Sequence, residues 1–370
     1  MSIDDIGRLT QLVLWCAFAV SMVFGAIVQR TGFCTMGALT DAAGLGDWTR
    51  MRQWALASGT ALAGMALLSW LGLVNADNTL YASPRWLWLS ALAGGLVFGF
   101  GMVLASGCAS KTLVRVGGGN LKALVVSLVI GLTGFATLKG LTAVWRSATV
   151  DRVAVEFAGN ASVSAWLADA LGTPHGSTAL VAGLALGAGL IAWALAARDV
   201  RTRRSLLAGL GVGAAVLAMW WVTGHLGHVA EHPQTLEEAF LATNSTRAEA
   251  LSFVSPIAFG LDWLMFYSDA NKHLTVGIVS TFGVVCGSAA VSLAQRSFRW
   301  EGFADTADLG HHLVGGALMG VGGVTAMGCT IGQGISGLST LSLTSLAALA
   351  AMMAGALAGL RYQMWRLERL

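Results

Sequence analysis

Gly94-Gly95, Gly99, Gly101, Ala105 and Gly107-Cys108 recur along the chain as Gly315-Gly316, Gly320, Gly322, Ala326 and Gly328-Cys329. The offset is constant across the stretch (329 − 108 = 221). An ungapped register of this length argues for duplicated structural units. Each copy is an apolar, glycine-studded helix that stops at Gly-Cys and runs into a loop. A cysteine at a helix break, twice, inside apolar sequence, reads as the lining of a pore or a buried site.

Working outward, the whole chain shares that character. Of 370 residues, 55% are hydrophobic and 11% charged, whereas soluble domains carry roughly 25% charged residues. The composition predicts an all-α integral membrane protein. Asp4 and Asp5 before a long apolar segment do not read as a cleavable signal peptide. A net charge of +3 is too small to point to nucleic acid. The five cysteines form no C-x-x-C pair, which removes the usual zinc and dithiol patterns.

A membrane-spanning helix needs about 20 apolar residues. Nine candidates meet this, at 10–30, 52–73, 86–107, 121–141, 177–197, 205–223, 273–294, 309–328 and 341–362. The segments 75–85, 142–175, 224–250 and 295–308 read as polar loops. The segments 31–46, 108–120, 251–270 and 329–340 are too apolar for water and too broken to span. They are expected to be re-entrant half-helices, which are tolerated where protein encloses them.

An odd span number turns the duplication into an inverted repeat. Residues 1–145 form the first repeat of four spans. Residues 146–204 supply a loop and a linking span, and 205–370 form the second repeat. With the N-terminus outside, 15 of the 22 basic residues fall on the cytoplasmic side, among them Arg198, Arg201, Arg203, Arg204 and Arg369. The bias places the N-terminus in the periplasm and the C-terminus in the cytoplasm of an inner-membrane protein.

Three cysteines sit at breaks. Cys34 lies in Arg30-Thr31-Gly32-Phe33-Cys34-Thr35-Met36-Gly37-Ala38, Cys108 in Leu104-Ala105-Ser106-Gly107-Cys108-Ala109-Ser110, and Cys329 in Gly328-Cys329-Thr330-Ile331-Gly332-Gln333-Gly334. These motifs, in this order over most of the chain, resemble the YeeE/YedE-type sulfur-transport family. The resemblance implies uptake of thiosulfate through an hourglass of nine spans and re-entrant helices. It also implies a path lined by Cys34, Cys108 and Cys329, and a small TusA-like sulfurtransferase as cytoplasmic partner. Ser255 stands at the position duplicating Cys34, so the second copy lacks the fourth thiol.

The chemistry suits that role. An anion deep in a membrane loses hydration and needs replacement contacts. Half-helix N-termini offer backbone N–H groups. A neutral thiol donates a weak S–H bond to a soft terminal sulfur, and weak repeated contacts also release the ion. The expected path residues are Cys34, Cys108, Cys329, Gly107, Gly328, Ser110, Gln333 and Lys111. For Ser110 and Gln333, turn capping competes with lining the path. For Lys111, anchoring at the positive side competes with attracting anions. Cys16 and Cys286, mid-span, read as packing. No nucleotide-binding loop and no cofactor or metal site is expected; partners are the thiosulfate ion and membrane lipid. His225, His228 and His232 share one face if that segment is helical; zinc is conceivable there, and a plain exposed helix is the simpler reading. Trp86, Trp88, Trp145 and Trp365, near span ends, read as an interfacial aromatic belt. A membrane sulfurtransferase or thiol oxidoreductase using the same cysteines covalently is the alternative, as is another sulfur or selenium substrate. Few carboxylates fall within the membrane; for the exceptions, Asp41 and Asp262, helix capping competes with carrying protons.

Overall fold

Long runs of Ala, Leu, Val and Met with four prolines in all favour helix over nearly the whole chain. The computed structural model describes residues 3–368; Arg369, counted above with the basic C-terminal side, and Leu370 lie outside the described residues. In chain order the helices are α1 (Ile3–Thr31), α2 (Thr35–Thr40), α3 (Thr49–Trp70), α4 (Trp88–Leu104), α5 (Ala109–Gly117), α6 (Leu121–Lys139) and α7 (Leu141–Ala148). They continue as α8 (Val163–Leu171), α9 (His175–Leu195), α10 (Arg203–Trp221), α11 (Val254–Met265), α12 (Val276–Ala294), α13 (Thr306–Thr325) and α14 (Leu343–Leu367). Wider π-helical turns cover Asp41–Leu45, Val222–Leu226 and Gly332–Gly337. Two short antiparallel ribbons pair β1 (Arg85–Trp86) with β2 (Val155–Glu156), and β3 (His228–Val229) with β4 (Ala239–Phe240).

Each of the nine expected spans coincides with one long helix: α1, α3, α4, α6, α9, α10, α12, α13 and α14. Among the described residues, seven segments are helices long and apolar enough to cross a membrane. The two long helices outside that set, α3 and α13, carry polar residues that find partners on neighbouring helices. Gln53 of α3 donates to Ser205 Oγ at 2.9 Å, and Asp308 of α13 pairs with Lys122 at 2.7 Å.

The repeated glycines explain the centre of the fold. A side chain at Gly322 would lie 2.5 Å from Phe98 N, and one at Gly315 would lie 2.6 Å from Ala105 N. In return, Gly94 abuts the backbone of Ala326, and a Cβ at Gly101 would sit 2.8 Å from Gly315 O. The two copies of the repeated phrase, α4 and α13, therefore cross backbone against backbone, which only small residues allow. Around this crossing the helix pairs recur. Helix α1 packs on α12 as α10 packs on α3, α4 on α14 as α13 on α6, and α5 on α12 as the turn Gly332–Gly337 packs on α3.

Both copies of the phrase end the same way. Ser106 and Met327 take left-handed backbone at φ 57°. The next amide reaches back five residues, Gly107 N to Met102 O at 2.9 Å and Gly328 N to Gly323 O at 2.8 Å. That is a Schellman stop, and it turns the chain sharply into the cysteine. The left-handed position belongs to Ser106 and Met327, one residue before the conspicuous glycines.

Three sequence expectations change. The segment with His225, His228 and His232 is not a continuous helix: it leaves a π turn at Gly227 and forms the β3–β4 ribbon, so the histidines do not share a helical face. Among the described residues no group of three metal-ligating side chains occurs. Second, 142–175 is not a plain loop but holds α7, α8 and β2. Third, Asp41 and Asp262 are ion-paired, with Arg50 at 3.2 Å and with Lys272, and their side chains cap no helix.

Candidate functional site

The three cysteines come from three separate helix breaks, and the fold brings them together. Cys34 is the N-cap residue of α2, and its sulfur accepts from Gly37 N at 3.4 Å. Cys108 is the N-cap residue of α5, with Ser110 Oγ 3.3 Å from its sulfur. Cys329 opens the Gly332–Gly337 turn and accepts from Gly332 N at 3.4 Å. Cys34 is half-buried, while Cys108 and Cys329 are 1% and 0% exposed. The Cys34 and Cys108 thiols lie next to one another, and the Thr330 hydroxyl stands beside Cys108. Cys329 follows directly on the chain from there. The thiols thus form a file through the interior, each at the N-terminal turn of a short enclosed helix, where free N–H groups gather.

The file has a basic end. Lys111, half-buried, is near both the Cys34 and Cys108 thiols, with Arg50 and Arg115 close to it. Arg50 is held by Asp41 and packs so closely on Gly37 that a Cβ there would lie 2.7 Å from its Nη1. Beyond the Cys329 turn, and separated from its thiol, lies a chamber of about 340 Å³ lined by Tyr81, Arg85, Arg146, Glu249, Ser252 and Ser255. Ser252 and Tyr81 press against the Cys329 turn: a Cβ at Gly332 would lie 2.5 Å from Ser252 Oγ and 3.4 Å from the Tyr81 hydroxyl. Glu249 sits in the loop before α11, where burial raises its carboxyl above the ordinary range. Its Oε1 accepts from Ser245 N at 2.7 Å.

The remaining expected residues divide. Ser110 touches the file. Gln333 is fully buried but occupied at both ends: Nε2 donates to Ala326 O at 2.7 Å, and Oε1 accepts from Ser345 Oγ at 2.5 Å. It ties the Cys329 turn to α13 and α14. Gly107 has room for a Cβ, its nearest neighbour being Lys111 Cγ at 3.4 Å, whereas a Cβ at Gly328 would meet Gln333 Cγ at 3.1 Å. Cys16 packs partly on the core and Cys286 faces outward on α12.

Sequence reading missed Tyr81, Arg85, Arg146 and Ser252, since nothing in a polar loop marks which residues fold back over the interior. It also missed a group of unpartnered donors. Thr35 Oγ1, Trp54 Nε1 and Thr330 Oγ1 are buried and make no hydrogen bond of normal geometry. Left so, each costs about 1–3 kcal/mol. All three border one small internal chamber beside the thiol file.

A family model described as Sulphur transport matches residues 30–358. The Thiosulfate transporter TsuA of Spirochaeta thermophila is 27% identical over 335 residues, which is 88% of this chain and 91% of the relative. The Thiosulfate transporter TsuA of Escherichia coli strain K12 is 26% identical over 325 residues, 85% of this chain and 84% of the relative.

Proposed function

The chain belongs to the sulphur-transport family, and from that premise we propose that this multi-pass membrane protein takes up thiosulfate across a bacterial inner membrane. The observation that carries the reading is the file itself: Cys34, Cys108 and Cys329, far apart in sequence, meet at enclosed half-helix N-termini between two basic regions. The names of the relatives over most of their length support the same substrate.

The ion enters the chamber from the periplasm, where Arg85 and Arg146 attract its charge. Its terminal sulfur accepts S–H bonds from Cys329, then Cys108, then Cys34, and Lys111 with Arg50 receives it at the cytoplasmic end. Neutral hydrogen bonds are worth about 0.5–1.5 kcal/mol net, so successive contacts replace lost hydration without trapping the ion. The chain has its N-terminus outside, and 1–145 and 205–370 are inverted copies joined by 146–204; the recurring helix pairs support this. A small cytoplasmic sulfurtransferase receives the sulfur at the basic inner face.

One observation favours a second reading. The sequence holds no C-x-x-C, yet Cys34 and Cys108 adjoin in space. Two adjacent thiols suit covalent sulfur transfer, in which the Cys34 sulfur, losing its proton, attacks the terminal sulfur of thiosulfate, the S–S bond of the ion breaks and sulfite leaves, so that Cys34 holds a persulfide. Growth of a strain stripped of other sulfate and thiosulfate uptake, on thiosulfate alone, tests the main reading: rescue is expected. No rescue with the protein present in the membrane rejects it. Mass spectrometry of the purified protein after thiosulfate exposure tests the second, which requires a sulfur adduct on Cys34 or Cys108.

A further inference from the structure

We propose that Asp41 and its repeat counterpart Asp262 are positioning residues of the path: each holds the cation of one mouth as an internal counter-charge, so that a passing anion exchanges with a carboxylate and is released instead of being trapped. The inference rests on the thiosulfate reading and assigns release to two residues outside the thiol file.

The duplication itself points to them. Asp262 stands at the position that duplicates Asp41 (262 − 221 = 41), as Ser255 duplicates Cys34. Asp41 directly follows α2, whose N-cap residue is Cys34, and Asp262 lies in α11, whose second residue is Ser255. Each carboxylate pairs with a basic residue a short way along the chain. Asp41 Oδ2 meets Arg50 Nε at 3.2 Å, nine residues on (50 − 41 = 9), and Asp262 meets Lys272, ten residues on (272 − 262 = 10). The second copy lacks the thiol yet holds the carboxylate and its cation, so the pair does not depend on the sulfur it accompanies in the first.

Charge at the inner mouth explains the need. Lys111, Arg50 and Arg115 lie close together at the Cys34 end of the file. Gly37 touches both Arg50 and Cys34: a Cβ there would lie 2.7 Å from Arg50 Nη1 and 3.7 Å from Cys34 Cβ. A guanidinium makes strong, charge-assisted hydrogen bonds to an oxyanion. Three cations together would hold a doubly charged ion too firmly for conduction, which needs sites that let go. Asp41 engages the Arg50 guanidinium. The pair is partly exposed, the Arg50 and Asp41 side chains being 47% and 22% accessible. Such pairs are weak, so an arriving anion displaces the carboxylate and the carboxylate then reclaims the cation. At the other end, Asp262 and Lys272 line a cavity of about 510 Å³ that shares Asn244 and Phe259 with the chamber of Arg85 and Arg146. The same exchange there passes the ion from Lys272 toward that chamber.

The test is uptake of radiolabelled thiosulfate into proteoliposomes holding the full chain, with rates expressed per amount of reconstituted protein. Wild-type uptake is the control for the reading beneath: if it is absent, transport itself is rejected and this proposal with it. With wild type active, Asp41→Asn frees Arg50, and slower release is expected to lower the maximal rate and the half-saturation concentration together, each about 2- to 5-fold, the range of a partly exposed ion pair. Asp41→Glu keeps the charge and is expected to restore most of both. In an Arg50→Gln background the sign reverses, because Asp41→Asn then removes a bare negative charge from the mouth and raises uptake. Asp262→Asn should repeat the joint fall, and it carries the test if Asp41→Asn does not accumulate. Wild-type kinetics in both asparagine variants, a fall in maximal rate at unchanged half-saturation, or a further fall in the Arg50→Gln background overturns the proposal and leaves the thiosulfate reading standing.

Discussion

Cys34 is the residue at which hydrogen-bond relay and covalent chemistry part most clearly, because its thiol meets both Cys108 and the Gly37 amide. Serine retains a donor of similar size but cannot form a persulfide. Under relay, Cys34→Ser keeps partial uptake and Cys34→Ala keeps less; under covalent transfer both abolish it. Side-by-side uptake rates decide between them. Cys329→Ala should lose most uptake with normal protein levels, whereas Cys286→Ala on the outer face of α12 should match wild type. Similar rates for those two would reduce all the thiols to packing. Glu249 makes a pH-dependent prediction. Its carboxyl is raised by burial, and its charge opposes the arriving anion. As pH falls from neutrality toward the ordinary glutamate value of about 4.3, Glu249 gains its proton and uptake rises. Because the raised carboxyl costs stability when ionised, acidification over that window also stabilises the fold at this position. Glu249→Gln should show the higher uptake already at pH 7 and lose the acid increase; a pH–rate profile of the two proteins checks this.

At the scale of elements, the α4–α13 crossing is where sequence and structure correspond most directly. Glycines spaced alike in two apolar helices imply close backbone approach, and Gly94, Gly101, Gly315 and Gly322 do meet one another's helices. Gly322→Leu should therefore destabilise by at least about 3 kcal/mol, at the upper end of overpacking costs, because the nearest atoms are backbone and cannot rotate away. Gly189→Leu, on α9 with nothing within 4 Å, should be tolerated. Thermal unfolding in detergent compares the two. The cysteine breaks were legible for the same reason: a helix that stops at Gly-Cys leaves unpaired N–H groups that the next turn must present. What the pattern could not place was the left-handed residue. Ser106 and Met327 look unremarkable in sequence, yet they carry the turn, since the Schellman bonds fix the residue after the last helical turn whatever its type. Ser106→Gly should stabilise by up to about 1 kcal/mol, the strain of a side chain at positive φ, in the same unfolding assay.

Across the whole molecule, hydropathy located the long helices because each must hide or expose a continuous apolar length, and α3 and α13 were found although their polar residues weaken them as apolar spans. The site's two mouths were not legible. Arg85 and Arg146 lie 61 residues apart (146 − 85 = 61), and only the β1–β2 ribbon and α7 bring them to one chamber. Charge counted by loop still carries information of a different kind, about which face meets the cytoplasm. The segment around Arg198, Arg201, Arg203 and Arg204 joins α9 to α10, whereas Glu231, Glu237, Glu238 and Glu249 gather between α10 and α11. If the basic segment is cytoplasmic, the chamber of Arg85 and Arg146 opens outward and Lys111 lies at the inner end, so the thiol file runs in the direction of uptake. Single cysteines introduced at Asp199 and at Gln234, in a background lacking Cys16 and Cys286, report the answer through a membrane-impermeant maleimide on intact spheroplasts. Labelling at 234 with none at 199 until the membrane is opened is the expected pattern. Labelling at 199 first would reverse the protein in the membrane, place Lys111 at the outer mouth and turn the proposed path from uptake to export.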